Sequence, residues 1–397
     1  MNLKTETTNK DHIKGWEDEK LNLKQKLLRG IYAFGFENPS TIQKKAILPF
    51  TRIQNGKRRD IVAQAQSGTG KTGCFVVSAL QIINENVQKT QALILAPTHE
   101  LAHQINDVLN GLGHYMNINT QLLIGGRSVD QDKKDLDENT PQVIVGTPGR
   151  IHDMLRRKWI KTNSIKLLVM DEADEMLSSG FLDQMYKIFQ FMPEEIQIGL
   201  FSATMPDELQ QLNDDLLRDP TKILVKSDEL TLKGIAQYYI SLDDDLHKYE
   251  TIKDLFSNLS ITQAIIYCNS TRRVDDLEEA MKQDQFPVEK VHGKMSSGER
   301  HKIFKDFKNG GCRVLITSDL FARGIDVQQV SIVINFDIPK NEHTYLHRIG
   351  RSGRWGRKGI AINFQTKYDI LRLDKFRKHY DTEIIEMPSN YTSQLNI

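Results

Sequence analysis

The stretch DIVAQAQSGTGKTGCFVVSALQII, residues 60 to 83, decides the fold of the first half of the chain. A short apolar run, DIVAQA, leads into a glycine-rich turn, AQSGTGKT, which is followed by an apolar pattern of helical length. This order is typical of a phosphate-binding loop between a strand and a helix, although Ala65 stands where the general pattern has glycine. Backbone N–H groups at a helix N-terminus bind phosphate, and glycines allow the tight path that the loop needs.

The loop residues have distinct predicted roles. Lys71 is expected to reach the β- and γ-phosphates of a nucleotide, and the Thr72 hydroxyl is expected to bind Mg²⁺. The nucleotide-binding residues predicted here are Gln66, Ser67, Gly68, Thr69, Gly70, Lys71 and Thr72. The alternative is a glycine-rich turn with a solvated lysine, which the strand before the loop and the helix after it disfavour.

A second apolar run, LLVMDEA at 167–173, ends in carboxylates. Buried carboxylates are costly unless positive charge lies against them. Asp171 is expected to hold Mg²⁺ against the nucleotide, and Glu172 to orient and deprotonate the attacking water. Acidic residues also favour the N-terminus of a helix, which is the competing interpretation of this stretch. The phosphate-binding loop upstream favours the metal.

Further apolar runs form two series along the chain. They lie at 60–65, 92–97, 142–148, 167–173, 198–204 and 223–225, and then at 264–270, 288–293, 313–319, 331–337 and 360–366. Segments of helical length separate most of them, so the sequence predicts two tandem α/β domains, each with a mostly parallel sheet flanked by helices. Polar clusters follow these runs, and ligands bind at the carboxyl ends of strands in open parallel sheets.

The predicted boundaries follow from these series and from composition. Residues 1–15 are expected to be a disordered tail, 16–226 the N-terminal domain, 227–236 a short flexible linker and 237–397 the C-terminal domain. The net charge of +1 provides no global field to attract a polyanion, so nucleic-acid binding would depend on local groups. No apolar segment is long enough to span a bilayer, and no secretory signal is evident.

The number and spacing of the cysteines indicate the redox environment of the protein. Cys74, Cys268 and Cys312 are far apart in the sequence and odd in number, without the spacing of a zinc site. They are expected to be small buried side chains in a reducing, intracellular environment.

Together, AQSGTGKT, DEAD at 171–174, SAT at 202–204, ARGID at 322–326 and HRIGRSGR at 347–354 resemble the motif set of the DEAD-box RNA helicases of superfamily two. The resemblance runs from about Trp16 to the C-terminus, and LLRGIYAFGFENPSTIQ, DELTLKGI and GRKGIAINF are most similar to short members of the translation initiation factor 4A type. It implies two RecA-like domains and a monomeric, cytoplasmic, RNA-dependent ATPase that uses ATP and Mg²⁺.

The resemblance also assigns residues around the nucleotide. The stretch GFENPSTIQ resembles the Q motif of the family. Within it, Gln43 would bind the adenine edge and Phe36 would stack near the ring, with core packing an equal interpretation for Phe36. Asp326 would accept hydrogen bonds from the ribose hydroxyls. Arg351 and Arg354 would act as arginine fingers on the γ-phosphate, with the nucleotide between the domains, because a guanidinium binds phosphate bidentately.

Other positions would couple nucleotide state to RNA binding. These are Asp174, Ser202, Thr204, His347 and Arg348, the last two through contacts with the first domain. SATMPDEL can equally be an N-cap with Pro206 in the first turn of a helix. Trp16 occupies the place of an upstream aromatic residue of the family, or anchors the tail on the surface.

Small residues and helix starts are the expected RNA contacts. They are Pro97, Thr98, Gly125, Gly126, Thr147 and Arg150 in the first domain, and Asn269, Gly293, Arg300 and Thr317 in the second. Such residues bind the sugar–phosphate backbone, which predicts sequence-independent binding of single-stranded RNA. Ordinary turn and capping chemistry is the alternative at each. Three departures from the family pattern, His99, Lys294 and Ser297, bear on RNA affinity.

The resulting expectation is an ATP-dependent RNA helicase that separates short duplexes locally on ATP binding, with hydrolysis for release, in translation initiation. A factor 4G-like HEAT-repeat scaffold is the partner that the resemblance implies. One alternative is an ATP-gated RNA clamp with little turnover in an exon-junction type of assembly. Another is a DNA-dependent ATPase of the same superfamily, which the Q motif and DEAD disfavour.

Overall fold

The structure, a computed structural model, describes residues 12–54, 56–65, 68–178, 180–224, 234–259, 262–319, 330–352 and 359–388. The chain forms two compact units, Met1–Glu229 and Leu230–Ile397. Gln66, Ser67, Asp326 and Arg354, each with a predicted role at the nucleotide, lie outside the described residues, as do residues 1–11 and the linker residues 227–233.

The described part of the first unit alternates strands and helices. Its strands are β1 (Ile53–Gln54), β2 (Lys57–Arg58), β3 (Ile61–Gln64), β4 (Ala92–Leu95), β5 (Thr120–Leu123), β6 (Val143–Gly146), β7 (Leu167–Met170), β8 (Gln197–Ser202) and β9 (Thr221–Leu224). Its helices are α1 (Gln25–Ala33), α2 (Thr41–Thr51), α3 (Lys71–Ile82), α4 (His99–Leu112), α5 (Val129–Glu138), α6 (Pro148–Arg156), α7 (Ala173–Ser178), α8 (Leu182–Phe189) and α9 (Asp207–Leu216). Strands β1 and β2 form an antiparallel hairpin outside the main sheet.

The main sheet of the first unit has the order β5-β6-β4-β7-β8-β3-β9. Every pairing in it is parallel, so all of its described strands point in one direction. The central strands are buried on both faces, which explains their unbroken Val, Ile and Leu runs. On one face Phe201 packs against Phe50 and Phe75, with ring centroids 6.0 and 5.1 Å apart.

The second unit repeats this architecture. Its strands are β10 (Ile235–Ser241), β11 (Ala264–Tyr267), β12 (Val288–Val291), β13 (Val314–Thr317), β14 (Ile332–Asn335), β15 (Gly359–Gln365) and β16 (Ile385–Glu386), and its helices are α10 (His247–Asn258), α11 (Thr271–Gln283), α12 (Ser297–Lys308), α13 (Glu342–Ile349) and α14 (Ile370–Tyr380). The sheet order is β12-β13-β11-β14-β15-β10-β16, and all pairings are parallel. The predicted fold class, two α/β units with parallel sheets flanked by helices, is therefore confirmed.

Among the described strands of four or more residues, two lack the apolar run by which the others were predicted. β5, with the sequence TQLL, is an edge strand whose side chains alternate between partly exposed and buried positions, so its apolar pattern is broken. β10, IAQYYIS, mixes polar and aromatic residues although it pairs with β15 along its whole length. Both strands complete their sheets, so a search for continuous apolar runs finds central strands and misses others.

Both predicted domain edges differ from the described structure by a few residues. Ile13, placed in the predicted disordered tail, is buried, and its N–H donates to the carbonyl of Lys44 at 3.2 Å. At the other edge, β10 begins at Ile235, inside the predicted linker, because Ile235 and Ala236 pair with Gly359 and Ile360 of β15. In each place a short apolar segment packs on a domain although its neighbours are polar.

Buried glutamines fix the amino ends of four strands. Gln91, just before β4, donates to the carbonyls of Asn84 and Val87 and accepts from the N–H of Asn84. Gln142 precedes β6 and accepts from the N–H of Asn119 at 2.7 Å. The other two also bind backbone carbonyls: Gln197 at the start of β8 those of Phe50 and Arg59, and Gln263 before β11 those of Phe307 and Cys312. Each amide thus joins a strand to the loops beside its amino end.

The predicted burial of the cysteines is confirmed: Cys74, Cys268 and Cys312 are all buried, and each is a free thiol. Burial raises the pKa of the Cys74 thiol, which keeps it protonated. Across the described residues, none of the helices combines the length and the hydropathy that crossing a membrane would require.

Gly30 in α1 provides a test of how the first unit is packed. A Cβ added there would lie 1.9 Å from the carbonyl oxygen of Leu112 in α4, which is backbone and cannot rotate away. Alanine would gain about 1 kcal/mol of helix propensity over glycine, but overpacking of this kind costs about 1–3 kcal/mol and a backbone clash lies at the upper end. Gly30→Ala is therefore expected to lower the melting temperature of the first unit, measured by circular dichroism.

Gly15→Ala is the matched control, because a Cβ added at Gly15 has nothing within 4 Å. This variant should melt with the wild-type protein. Equal melting temperatures for both variants would contradict the close approach of α1 and α4.

Candidate functional site

Nearly all of the predicted site residues that the structure describes lie on one rim of each sheet. Because the strands are parallel, their carboxyl ends lie along the same edge, where ligands bind in this architecture. In the first unit the order of strands along that rim, β5-β6-β4-β7-β8-β3, places the loops of the motifs side by side. The sequence alone does not give this order.

The rim of the first unit divides into two halves. The residues predicted to bind RNA follow β5, β6 and β4, which are neighbours. Apart from Phe36 and Gln43, which precede β3 in the chain, those predicted to bind nucleotide or to couple lie at or after the ends of β7, β8 and β3, which are also neighbours. The turn after β6 and the phosphate-binding loop after β3 are four strand spacings apart, or about 19 Å. One rim can thus hold two ligands without overlap.

The Q-motif glutamine is part of the wall of the phosphate-binding loop. Gln43 lies at the third position of α2, where its side-chain oxygen accepts from the N–H of Ser40 at 2.8 Å and its amide nitrogen donates to the carbonyl of Gly70 at 3.1 Å. Gly70 has a φ of 98°, and a Cβ there would lie 2.6 Å from Ser40 Oγ. Gly73 is equally restricted, because its Cβ would meet Phe36 Cε2 at 2.8 Å. Gly70 is thus needed for packing as well as for conformation, and Gly73 for packing.

Trp16 and Phe36 form an aromatic stack beside this wall. Their rings are nearly parallel, with centroids 6.5 Å apart, and Phe34 meets Phe36 edge-on at 5.2 Å. Trp16 is only 2% exposed, so it belongs to the core of the unit and is not a surface anchor. Phe36 is half-buried, which leaves part of its ring accessible.

Three carboxylates and one ammonium meet at the end of β7. Asp171, Glu172 and Asp174 are all buried, and so is Lys71 at the start of α3. Lys71 Nζ lies 3.3 Å from Glu172 Oε1, and both side chains are about 5% exposed or less. The lysine of the phosphate-binding loop therefore provides positive charge next to these carboxylates.

The environment of Asp171 favours its protonated form. Burial raises the pKa of Asp171 above its ordinary value, the neighbouring charge of Glu172 raises it further, and Lys71 opposes the rise. The N–H of Glu172 donates to Asp171 Oδ1 at 3.0 Å. Glu172 itself has a φ of 48°, a left-handed conformation that costs a non-glycine residue about 1 kcal/mol or more and turns the chain from β7 into α7.

Asp174 binds the SAT segment directly. Its Oδ2 accepts from the Thr204 hydroxyl at 2.6 Å and from the Thr204 N–H at 3.2 Å, and its own N–H donates to Ser202 Oγ at 3.4 Å. The N-cap interpretation of SATMPDEL is wrong for these side chains, because α9 begins at Asp207 with Pro206 as its N-cap. The segment after β8 is thus tied to the DEAD segment after β7.

The donor set around Thr72 and Asp171 fits a small hard cation. Thr72 is the second residue of α3 and is only partly buried, and Asp171 provides carboxylate oxygens from the loop after β7, two strands from β3 in the sheet. Oxygen donors of this kind are those that Mg²⁺ prefers, usually with phosphate oxygens and water in the remaining positions. The roles of these two residues in metal binding stay predictions.

On the RNA half of the first rim, several predicted side chains are already bound by protein. Thr98 is the N-cap of α4 and accepts from the N–H of Leu101 at 3.2 Å. Thr147 is buried at the N-cap of α6, and Gly126 is exposed with a φ of 83°. Arg150 binds the buried carboxylate of Asp132. The groups left for a ligand are mainly backbone N–H groups at the starts of α4 and α6.

The second rim has the same division. Asn269 follows β11, Gly293 follows β12, Thr317 ends β13, and these three strands are neighbours. Gly293 is exposed, and the hydroxyl of buried Thr317 donates to the carbonyl of Val291 at 2.7 Å. Arg300, in α12, is also buried. The segment that carries His347, Arg348 and Arg351 follows β14, on the other side of β11.

Arg348 is held inside the second unit. Its guanidinium is fully buried and donates to Asp319 Oδ1, Asn335 Oδ1, the carbonyl of Asp337 and Asn269 Oδ1, at 2.6 to 3.2 Å. Four of the five N–H donors of Arg348 are thus used within its own unit, and its predicted contact with the first unit stays a prediction. Arg351 is 2% exposed, and its Nε donates to the carbonyl of His347 at 3.1 Å.

Asp337 was missed in the sequence although the pattern that found the other residues applies to it. It lies two residues after the end of β14, and its carboxylate binds Lys248 Nζ at 3.0 Å, Arg273 Nε at 2.8 Å and the N–H of Asn269 at 3.0 Å. Lys248 is itself buried. Asp337 thus fixes the Asn269 loop, and the signal was a carboxylate immediately after an apolar run.

A pH-dependent test follows from the raised pKa of Asp171. A carboxyl group whose pKa is higher in the folded state binds more protons when the protein is folded. The free energy of unfolding therefore falls as the pH rises from the ordinary pKa of about 3.9 through the raised value. Asp171→Asn removes the cost of ionising this buried carboxyl group. Without nucleotide and Mg²⁺, the variant should melt higher than wild type at pH 8, by about 2–4 °C for each kcal/mol relieved, and the gain should shrink at pH 5.

Asp214→Asn, at an exposed position on α9, controls for the loss of one negative charge and should change the melting temperature little at either pH. A gain from Asp171→Asn that is the same at pH 5 and pH 8 would contradict the raised pKa.

Known proteins match the chain along nearly its whole length. Residues 40–212 match the DEAD/DEAH box helicase family, and residues 247–356 match the helicase conserved C-terminal domain. The chain is 52% identical to the ATP-dependent RNA helicase eIF4A of Pyricularia oryzae, over 94% of this chain and 92% of that protein. It is also 52% identical to the Yarrowia lipolytica eIF4A, over 97% of this chain and 95% of the relative.

Solved structures agree with the fold. The L327V variant of S. cerevisiae Dbp5 bound to RNA and ADP BeF3 matches with a TM-score of 0.89 and 34% identity, over 96% of this chain and 98% of that one. Mss116p bound to ssRNA and AMP-PNP, at 24% identity and a TM-score of 0.86, shares the fold. The family matches and the extended identity establish that the chain belongs to the DEAD-box ATP-dependent RNA helicases and is similar throughout to their eIF4A members.

Proposed function

We propose that this chain binds single-stranded RNA through the sugar–phosphate backbone, separates short duplexes locally when ATP binds, and uses hydrolysis for release. The division of the first rim into a nucleotide half and an RNA half is the observation that carries the proposal. It supports simultaneous binding of two ligands on one rigid sheet, which an RNA-dependent ATPase requires.

On the nucleotide half, Gln43 and Phe36 are proposed to receive the adenine and the phosphate-binding loop the phosphates. The contact of Gln43 with the carbonyl of Gly70 supports this, because it joins the adenine wall to the phosphate loop. Lys71 is proposed to exchange its partner from Glu172 to phosphate oxygens. The released carboxylate of Glu172 would then accept a proton from the attacking water.

Thr72 and Asp171 are the residues proposed to hold Mg²⁺. When bound, this ion neutralises charge that develops on the phosphate oxygens during transfer. Burial of Asp171 supports the assignment, because a carboxylate that is costly to ionise alone is stabilised in its charged form by an adjacent cation.

On the RNA half, backbone N–H groups at the starts of α4 and α6 are proposed to bind phosphates. The occupation of the Thr98 and Arg150 side chains by protein partners supports a backbone grip over a side-chain grip. Helix N-termini bind anions through their free N–H groups and dipole. Contacts of this kind carry little base information, so binding without sequence preference is expected.

The first experiment is steady-state ATP hydrolysis with no nucleic acid, with single-stranded RNA and with single-stranded DNA. RNA alone should stimulate wild-type turnover. Glu172→Gln should bind ATP and RNA at least as well as wild type, yet lower kcat by about 100-fold to 10,000-fold, because it removes only proton acceptance. Lys71→Ala should instead lose nucleotide binding.

Glu175→Gln makes the same chemical change three residues along, in a half-buried position of α7, and should keep turnover within about twofold. Undiminished hydrolysis by Glu172→Gln would remove the assignment of the base. Equal stimulation by RNA and DNA would remove the proposed RNA specificity.

His99 offers a test of RNA affinity. It is the first residue of α4 and lies over the loop after β5, where a Cβ on Gly125 would be 3.3 Å from His99 Nε2. Histidine is only partly charged at neutral pH, whereas arginine always carries its charge and can bind phosphate bidentately. His99→Arg should therefore tighten RNA binding by about tenfold or less at low salt, measured by fluorescence anisotropy.

A His99→Gln control keeps a polar side chain without the charge and should not tighten binding. If His99→Arg binds RNA equally or more weakly at matched salt, the side chain does not face the RNA backbone.

A cytoplasmic role in translation initiation, with a factor 4G-like HEAT-repeat scaffold, is proposed from similarity to the eIF4A proteins. Duplex unwinding with repeated turnover would support this role. If the protein instead keeps RNA bound with one ATP per complex and does not hydrolyse ATP repeatedly, this result would support the clamp alternative.

A further inference from the structure

Asp132 lies below the RNA half of the first rim and joins its two outer loops. It is on α5, and its side chain has no exposed surface. Its Oδ2 binds Arg150 Nη1, and its Oδ1 lies 3.7 Å from Arg127 Nη1. Arg127 follows the glycine pair after β5, and Arg150 is in the first turn of α6 after β6. One buried carboxylate therefore meets a cation from each loop.

Two backbone links reinforce this junction. Arg150 Nη2 donates to the carbonyl of Arg127 at 2.8 Å, and the N–H of Thr147 donates to the carbonyl of Leu123 at 3.1 Å. Gly146, at the end of β6, allows the approach, because a Cβ there would lie 2.3 Å from the same Leu123 carbonyl. The carbonyl of Asp132 also accepts from the buried side chain of Gln121 in β5.

The exposure of the two arginines differs in a way that separates their roles. The Arg150 side chain is 9% exposed, with both terminal nitrogens engaged, whereas Arg127 is 43% exposed. A phosphate contact needs an accessible donor, so Arg150 is poorly placed for the direct RNA contact that its motif suggests. Burial of Asp132 makes the charge pair costly to break from either side.

We infer that Asp132 is a positioning residue for RNA binding. Its carboxylate fixes Arg150, and through Arg150 the loops after β5 and β6, so that the exposed Gly126 and the helix start at Thr147 hold a set geometry toward the sugar–phosphate backbone. This rests on the proposed RNA-binding function of the rim. The assignment gives Arg150 a role inside the protein and adds a buried residue from the first turn of α5 to the determinants of RNA affinity.

Simple electrostatics predicts the opposite result from positioning, which makes the inference testable. Asp132→Asn removes a negative charge and releases two arginines near RNA, so a purely electrostatic effect would tighten binding. Loss of the fixed geometry would weaken it. The KM for a single-stranded oligouridine in RNA-stimulated ATP hydrolysis by the full chain should rise about tenfold, while kcat at saturating RNA and the KM for ATP stay within about twofold.

Asp135→Asn is the matched control. Asp135 is one turn along the same helix, partly exposed, and also binds Arg127 at 3.3 Å, so its variant loses the same charge near the same cation. It should bind RNA as wild type does, or slightly more tightly. Equal weakening by both variants, or unchanged or tighter RNA binding by Asp132→Asn, would overturn the inference.

A double variant separates positioning from lost stability. Asp132→Asn leaves Arg150 as an unpaired buried charge, and Asp132→Asn with Arg150→Met removes that charge while filling its volume. The double variant should recover the melting temperature and still bind RNA weakly. Recovery of both would reduce Asp132 to a structural role and overturn the inference. Wild-type protein that binds no RNA would instead overturn the proposed function itself.

Discussion

The common direction of the strands is the constraint on which the rest of the structure depends. In both sheets every pairing is parallel, so each strand must be followed by a crossover, and all carboxyl ends lie on one rim. Backbone bonds extend the ladders past the strands: the N–H of Ala65 donates to the carbonyl of Ser202, and that of Asp171 to the carbonyl of Leu95. The starts of the functional loops are thereby fixed by the sheet, and only their tips are free to meet ligands.

The cost of burying charged groups is the second constraint, and both units offset it with partners of opposite charge. In the first unit Lys71 offsets Glu172 beside two further carboxylates, and in the second Asp337 lies between Lys248 and Arg273. Such groups have partners of opposite charge because an isolated buried charge costs several kcal/mol. A ligand that draws Lys71 away from Glu172 must therefore bring a positive charge that compensates the Glu172 carboxylate. Binding at this rim exchanges one set of ion pairs for another.

Much of this organisation was predictable from sequence, for identifiable reasons. The apolar runs of the central strands, the loop at 65–72 and the carboxylates after β7 are local patterns with a direct physical meaning. Strand order is not local, so neither the division of the rim nor the junction at Asp132 could be derived. Asp132 lies within the acid-rich helix VDQDKKDLDE, where nothing in the pattern distinguishes it from its neighbours. The basic segment that begins at His347 likewise gives no sign in the sequence that the Arg348 side chain is fully buried.

The glutamines at the amino ends of β4, β6, β8 and β11 have a consequence for how the protein responds to its medium. They hold the loops at the rim opposite the motifs with uncharged amides, whose hydrogen bonds are barely affected by ionic strength or by pH near neutrality. The motif rim instead holds ion pairs such as Lys71–Glu172 and Lys248–Asp337, whose strength depends on the charge of both partners. A change of pH or a bound anion can therefore alter one edge of each sheet while the opposite edge keeps the strands in register.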